Sequence, residues 1–165
     1  MQKDITFHYT KKEMVEELLN IVPLSGSILD AGSGKNKVWY NYLIGLKEKY
    51  SDIEKVFECE IEDGLDFLTE WNRKVDWVVG NPPYHLGKDF LLKAGDVAHK
   101  GIAFLINNQC FNSYLLPSRL KTMEEKGFFI NKIHVVQDKR WFGRYYFLIF
   151  TKEKNNFITY NTKTY

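Results

Sequence analysis

Only two cysteines occur in the 165 residues, Cys59 and Cys110, and they stand far apart without the paired spacing of a zinc ligand set. A disulfide framework and a structural zinc site are thereby excluded, and a reducing compartment is the expected setting. Among the four histidines, His85, His99 and His134 have no spacing suited to metal binding or to a nucleophile–base pair. No apolar run approaches the roughly 18 residues a membrane helix needs, and the start Met1-Gln2-Lys3-Asp4 is polar. We therefore expect neither a span nor a leader and place the chain in the cytoplasm, with no membrane partner. A formal charge of +2 is too small for a general polyanion binder, so any contact with nucleic acid must come from a local patch. Proline is scarce at four residues, and two of the four stand together.

Apolar residues make up 44% of the chain, enough for one core and not for a second, so residues 1–165 are read as a single domain. The proline pair belongs to Asn81-Pro82-Pro83-Tyr84, which follows directly on the apolar run Val75-Asp76-Trp77-Val78-Val79-Gly80. Average usage puts this tetrapeptide in a chain of such length about once in a thousand. A rigid turn after a strand can hold a planar amine against a methyl donor, because proline fixes φ and removes a competing backbone donor. Upstream, Ser27-Ile28-Leu29-Asp30 breaks into Ala31-Gly32-Ser33-Gly34-Lys35-Asn36 and then into the periodic stretch 38–50. Small residues there let backbone N–H groups approach a ligand at a helix start. The carboxylate of Asp30 suits a cationic or hydroxyl-bearing ligand better than a pyrophosphate, and Lys35 is not in the context of a triphosphate loop.

Periodicity supplies the rest of the order. Thr10 as cap and Glu13 three residues on predict a helix from 11 to about 20, with Met14, Val15, Leu18 and Leu19 on one face. Strands are expected at 27–30, 53–59, 75–79, 101–106, 129–136 and 145–151, helices at 37–50, 88–98 and 118–126, and a polar, aromatic loop at 107–117. Alternation of strands with helices implies a mostly parallel, doubly wound α/β sheet, and the last two strands, with no helix between them, an antiparallel hairpin. Ligands gather beyond the carboxyl ends of parallel strands, so Asp30, Asn81, Asn107 and Gln137 should share one rim.

Taken in this order, residues 5–152 resemble the S-adenosylmethionine-dependent adenine-N6 DNA methyltransferases in which donor-binding motifs precede Asn-Pro-Pro-Tyr. Phe7-His8-Tyr9-Thr10 looks like that family's N-terminal donor segment, residues 28–36 like its glycine loop, Asp66-Phe67 like its adenine-side acidic motif, and residues 145–150 like its closing strand. The resemblance implies a Rossmann-like class I methyltransferase fold that uses S-adenosyl-L-methionine and acts on DNA. It implies donor contacts from Phe7, Tyr9, Thr10, Asp30, Ala31, Gly32, Gly34, Asp66, Phe67 and Asn81. The ribose carboxylate is open between Glu58 and Glu60; Glu60 is favoured because it follows the apolar Val56-Phe57 at the strand end. Two departures stand out. The family's third loop glycine falls on Asn36, and the segment between Cys59 and Val75 is short enough to have lost a helix.

In the implied mechanism the Asn81 oxygen and the Pro82 carbonyl each accept one N–H of an exocyclic amine, Pro83 stiffens the turn, and Tyr84 stacks on an extruded base. Substrate contacts are expected from Tyr84, Lys88 and Asn107, and from Lys139, Arg140, Trp141 and Arg144, which set cations and aromatics beyond a strand end. The same turn fits an RNA adenine-N6 or a protein glutamine-N5 methyltransferase, and Asn36 with the shortened middle fits a degenerate fold kept as a binding subunit. No separate target-recognition domain is expected, so a specificity subunit or a second copy is left open as a partner.

Overall fold

A computed structural model describes residues 10–138, 140, 143–155 and 158–163. The longest apolar stretches of the sequence form the centre of its sheet, where buried parallel strands need no polar face. Numbered in chain order, the strands are β1 (Gly26–Ala31), β2 (Ile53–Cys59), β3 (Val75–Gly80), β4 (Ala98–Asn107), β5 (Phe129–Val136) and β6 (Tyr145–Thr151). They stand in the order β2-β1-β3-β4-β6-β5. The pairs β2–β1, β1–β3 and β3–β4 are parallel, and β6 runs antiparallel between β4 and β5. The charges that blur β2 in the sequence are those of an edge strand, with Glu54 and Lys55 exposed.

Helices cover both faces. α1 (Lys12–Leu19) and α2 (Val38–Lys49) bury Val15, Leu18, Leu19, Trp39 and Leu43 against Ile28, Trp77 and Val79. On the other face α3 (Gly87–Val97), α4 (Asn108–Tyr114) and α5 (Pro117–Glu125) bury Phe90, Leu91, Cys110, Tyr114 and Met123 against Leu29, Val78 and Ile102. Each fully buried aliphatic or aromatic side chain contributes about 1.5–3 kcal/mol relative to exposure. The doubly wound sheet with its terminal antiparallel hairpin is as expected. Among the described residues no helix is long and apolar enough to cross a membrane.

Two local expectations are corrected. The helix α1 begins at Lys12 with Lys11 as its N-cap and no side-chain cap bond, so Thr10 and Glu13 do not form a capping box. Thr10 is instead turned into the protein. The segment read as a loop contains α4 and the first residue of α5; the Asn107 side chain caps α4 by accepting from Cys110 N at 3.0 Å, and Cys110 and Tyr114 bury one face. Between Cys59 and Val75 the described chain makes one 3-10 turn, Ile61–Asp63, and a tight turn at 66–71, with no helix.

Register fixes where the ends meet. Asp30 lies opposite Val79, Asn107 opposite Tyr145, and Tyr145 opposite Val136, so Asp30, Asn81, Asn107 and Gln137 do reach one rim. The chain leaves β1 toward β2 on one side and β3 toward β4 on the other, which makes the ends of β1 and β3 the topological switch point, where sheets of this kind form a ligand crevice.

Candidate active site

The glycine loop enters this crevice from β1. Gly32 and Gly34 adopt φ values of 72° and 67°, a left-handed backbone that a side chain would strain. Lys37, not Asn36, is the non-glycine residue with positive φ, at 46°. Its ammonium is gripped by Glu58 Oε1 at 2.7 Å and Asp63 Oδ2 at 2.8 Å, which hold it in the charged form and offset the backbone cost.

Three of the loop's N–H groups are already spent. Gly32 N and Ser33 N both donate to the Cys59 carbonyl at 3.0 Å, and Gly34 N donates to Glu60 Oε2 at 2.6 Å. The expectation that these amides face a ligand is therefore corrected: the end of β2 takes them. What the crevice offers is negative charge. Glu58 accepts from Ser33 Oγ at 2.6 Å, Glu60 braces the loop and caps the 3-10 turn, and Asp30 lies between β1 and α2. Asp30 is fully buried; Oδ2 accepts from Tyr40 N at 3.0 Å, and Oδ1 has no partner. Burial pushes its pKa from 3.8 to about 8, with Glu58 and Glu60 adding to the rise and the Tyr40 N–H and Lys37 opposing it.

The Asn-Pro-Pro-Tyr turn closes the other wall. Gly80, at φ 140°, lets β3 approach so closely that a Cβ there would stand 3.0 Å from both the Ala31 carbonyl and Asp30 Oδ1. The next residue, Asn81, donates from Nδ2 to Thr10 Oγ1 at 3.2 Å, while its Oδ1 is buried without a partner. Pro83 uses its carbonyl to close the turn, accepting from Leu86 N at 2.9 Å, whereas that of Pro82 is not taken up by the turn. Tyr84 is half-buried beside Tyr145, ring centroids 6.5 Å apart, and burial with that neighbour keeps its phenol protonated. Burial likewise pushes the thiols of Cys59 and Cys110 up to about 12 and about 11, so neither is poised as a nucleophile.

Thr10, Asp30, Ala31, Gly32, Gly34, Glu60 and residues 81–84 thus gather around the crevice. Behind them, Phe67 is buried against Phe90, ring centroids 5.0 Å apart, and Phe90 in turn backs Gly32. Both Asp66 oxygens are engaged locally, by Leu68 N and Thr69 Oγ1 at 2.9 Å each. Lys88 is exposed in the first turn of α3. On the rim, Arg140 is held by the buried Asp138, whose pKa this pairing lowers to about 2, and Arg144 is exposed. Phe7, Tyr9, Lys139 and Trp141 lie outside the described residues. Sequence reasoning missed Trp39, Ser33, Lys37 and the placement of Tyr145. Only Trp39 carried a signal, as an indole at a buried helix position that must find an acceptor.

No protein-family model and no curated protein matches the chain. Solved structures do. A precorrin-6y C5,15-methyltransferase from Geobacter metallireducens GS-15 superposes with a TM-score of 0.61 at 13% identity over 88% of this chain and 90% of its own. This chain has the class I methyltransferase fold. A ribosomal protein L11 methylase from Lactobacillus delbrueckii subsp. bulgaricus gives 0.57 at 15% identity over 90% of this chain and 81% of its own. The M. capricolum protein TrmK, solved with S-adenosyl-homocysteine, gives 0.57 at 12% identity over 88% and 70%. Identities this low speak to the class I methyltransferase fold alone, within which the crevice between β1 and β3 is this chain's own arrangement of residues.

Proposed function

We propose that the protein is an S-adenosyl-L-methionine-dependent methyltransferase that modifies the N6 amine of adenine in DNA. One observation carries the reading: a buried amide oxygen without a partner, Asn81 Oδ1, follows the end of β3, and the paired strand β1 carries a buried carboxyl oxygen, Asp30 Oδ1, that also has none. Leaving two such acceptors unmet costs about 1–3 kcal/mol each, more for a charged group, which a ligand bringing N–H groups and positive charge would recover.

The residues fit that donor. A loop whose Gly32, Ser33 and Gly34 amides are spent and which is flanked by Glu58 and Glu60 repels phosphate and suits a cationic, hydroxyl-bearing molecule. Asp30 would serve the donor's ammonium end and Glu60 its ribose, while the left-handed Gly32 and Gly34 keep side chains out of the space it occupies. When bound, the donor supplies a methyl group on a sulfonium, which leaves as a neutral thioether. On the protein's side, Asn81 Oδ1 and the Pro82 carbonyl each accept one amine proton, which draws the nitrogen out of conjugation with the ring and points its lone pair at the methyl carbon. Methyl transfer leaves the nitrogen positively charged with both protons, either of which is then acidic enough to pass to water, so no strong base is required. Tyr84 supplies the face on which the extruded base stacks, and Arg144 with its neighbours meets the phosphate backbone.

Labelled donor offered to DNA, RNA and protein should mark DNA adenine, and Asn81→Ala should reduce the rate by about 100-fold or more while leaving donor affinity within about twofold. Label in RNA or protein alone would overturn the substrate, and a variant with full turnover would overturn the mechanism.

A further inference from the structure

A primary amide can turn either its oxygen or its NH2 group toward a substrate, and only one of the two serves here. The oxygen accepts an amine proton. An NH2 in its place would donate to the nitrogen lone pair that must remain free to take the methyl group. Water does not distinguish the two orientations, so something in the protein has to.

Resting on the reading of Asn81 as acceptor of the target amine, we infer that Thr10 is a positioning residue that holds the Asn81 amide with its oxygen facing the substrate. The two residues are 71 positions apart, and the bond from Asn81 Nδ2 to Thr10 Oγ1 spans 3.2 Å. A threonine hydroxyl can donate as well as accept, so it needs a neighbour that sets its role. Trp39 Nε1, which can only donate, lies 3.2 Å from the same oxygen in a buried bond and claims one of its lone pairs. The second lone pair faces Asn81.

Rotating the amide would break the Asn81 Nδ2 bond to Thr10 Oγ1 and carry NH2 into the place where Oδ1 now stands unmet. Thr10 is also 9% exposed and sits where the chain turns into the protein ahead of α1, so the contact is shielded from competing water.

The test is Thr10→Val, which keeps the shape and removes the acceptor, beside Thr10→Ser, which keeps the acceptor. With labelled donor and a DNA duplex, T10V should lose about tenfold or more in kcat with KM for DNA and donor affinity by calorimetry within about twofold, and T10S should restore most of the rate. The side-chain amide of Asn81, followed by nitrogen-resolved NMR in the donor-free protein, should show hydrogens protected from exchange in the parent and in T10S and unprotected in T10V. Unchanged kcat in T10V, a loss of donor affinity in place of rate, or an Asn81 amide signal that does not respond would each overturn the inference. If the parent protein methylates nothing, the assignment of Asn81 falls, and the amide signal alone decides whether Thr10 holds it.

Discussion

Asp30 and Asp76 lie on neighbouring parallel strands, one toward each end of the sheet, and the same chemical group meets opposite company. At the base, Asp76 Oδ2 accepts from Ser27 N at 2.8 Å and Ser27 Oγ at 3.0 Å, and Oδ1 pairs with Lys100 Nζ at 3.2 Å. Partial burial would raise its pKa, but the Ser27 and Lys100 contacts together outweigh it and the net shift is downward. A Cβ on Gly26 would fall 2.1 Å from Asp76 Oδ2, so even the backbone is fitted to that carboxylate. At the rim, Asp30 is more deeply buried and keeps an oxygen unmet, and its pKa rises to about 8. The carboxylate at the base is satisfied by the fold itself, whereas the one at the rim keeps an oxygen unmet.

The sharpest way to break this contrast is to neutralise both acids separately. Asp30→Asn should weaken donor binding by about 100-fold or more, because the site loses a buried carboxyl that can ionise to meet the cation. Its melting temperature should hold or rise, since Tyr40 N retains an oxygen acceptor and an unpaired buried acid disappears. Asp76→Ala should do the reverse, costing about 1–3 kcal/mol of stability with donor affinity unchanged. Calorimetry and thermal melts on the pair decide it. If both variants lose stability and neither loses the donor, the two ends are alike and the rim is ordinary structure.

A pH series sharpens the same comparison with a smaller effect. Asp30 has a folded pKa near 8 against 3.8 in the unfolded chain, so the folded protein holds a proton that the unfolded chain sheds. Its contribution to stability is full below about 4, is lost as pH climbs toward about 8, and stays lost above that. Asp76, with its pKa lowered, contributes stability that is present above its unfolded value and is lost as pH falls through its folded value. Asp30→Asn should therefore flatten the decline of the melting temperature between pH 5 and about 8, and Asp76→Ala should flatten the fall on the acid side. Donor binding at pH 7 should release close to one proton, visible as a binding enthalpy that changes with the ionisation heat of the buffer, because Asp30 must give up its proton to meet a cation. A buffer-independent enthalpy would mean that Asp30 is not the partner.

The sequence disclosed the base of this arrangement less well than the rim, for a physical reason. Continuous apolar runs such as 75–79 and 101–106 mark central parallel strands because both faces are covered, and the glycine and proline turns that follow mark their carboxyl ends. Asp30 and Asn81 could be placed on one rim from that alone. Neither residue's state could be read the same way, since an unmet oxygen depends on what other segments fail to supply. Thr10 looked like a helix cap because its spacing to Glu13 is local, whereas its actual partners, Trp39 and Asn81, come from distant segments. Asn107 looked like a loop residue because asparagine favours turns and helix caps equally, and only the buried Cys110 and Tyr114 one turn apart reveal α4. The loop amides were misassigned because nothing in Gly32-Ser33-Gly34 announces that the Cys59 carbonyl and Glu60 will reach them first.

The smallest effect concerns the surface charges at the two ends. Arg144, exposed on the rim between β5 and β6, donates to the carbonyl of Gly143 at 3.3 Å and forms no ion pair among the described residues, so its charge is available to a phosphate. Lys100, at the base, is tied to Asp76 and to Ser25 Oγ at 3.1 Å. If DNA docks on the rim, Arg144→Ala should lower the slope of log affinity against log salt by about 1, the share of one phosphate contact, with little change in melting temperature. Lys100→Ala should leave the slope alone and cost about 0–1 kcal/mol of stability, as expected for a half-exposed ion pair. Filter binding or fluorescence anisotropy across a salt series separates the two. Equal slopes for both variants and the parent would show that the rim carries no phosphate contact at Arg144 and would turn the search for the polyanion to another face of the sheet.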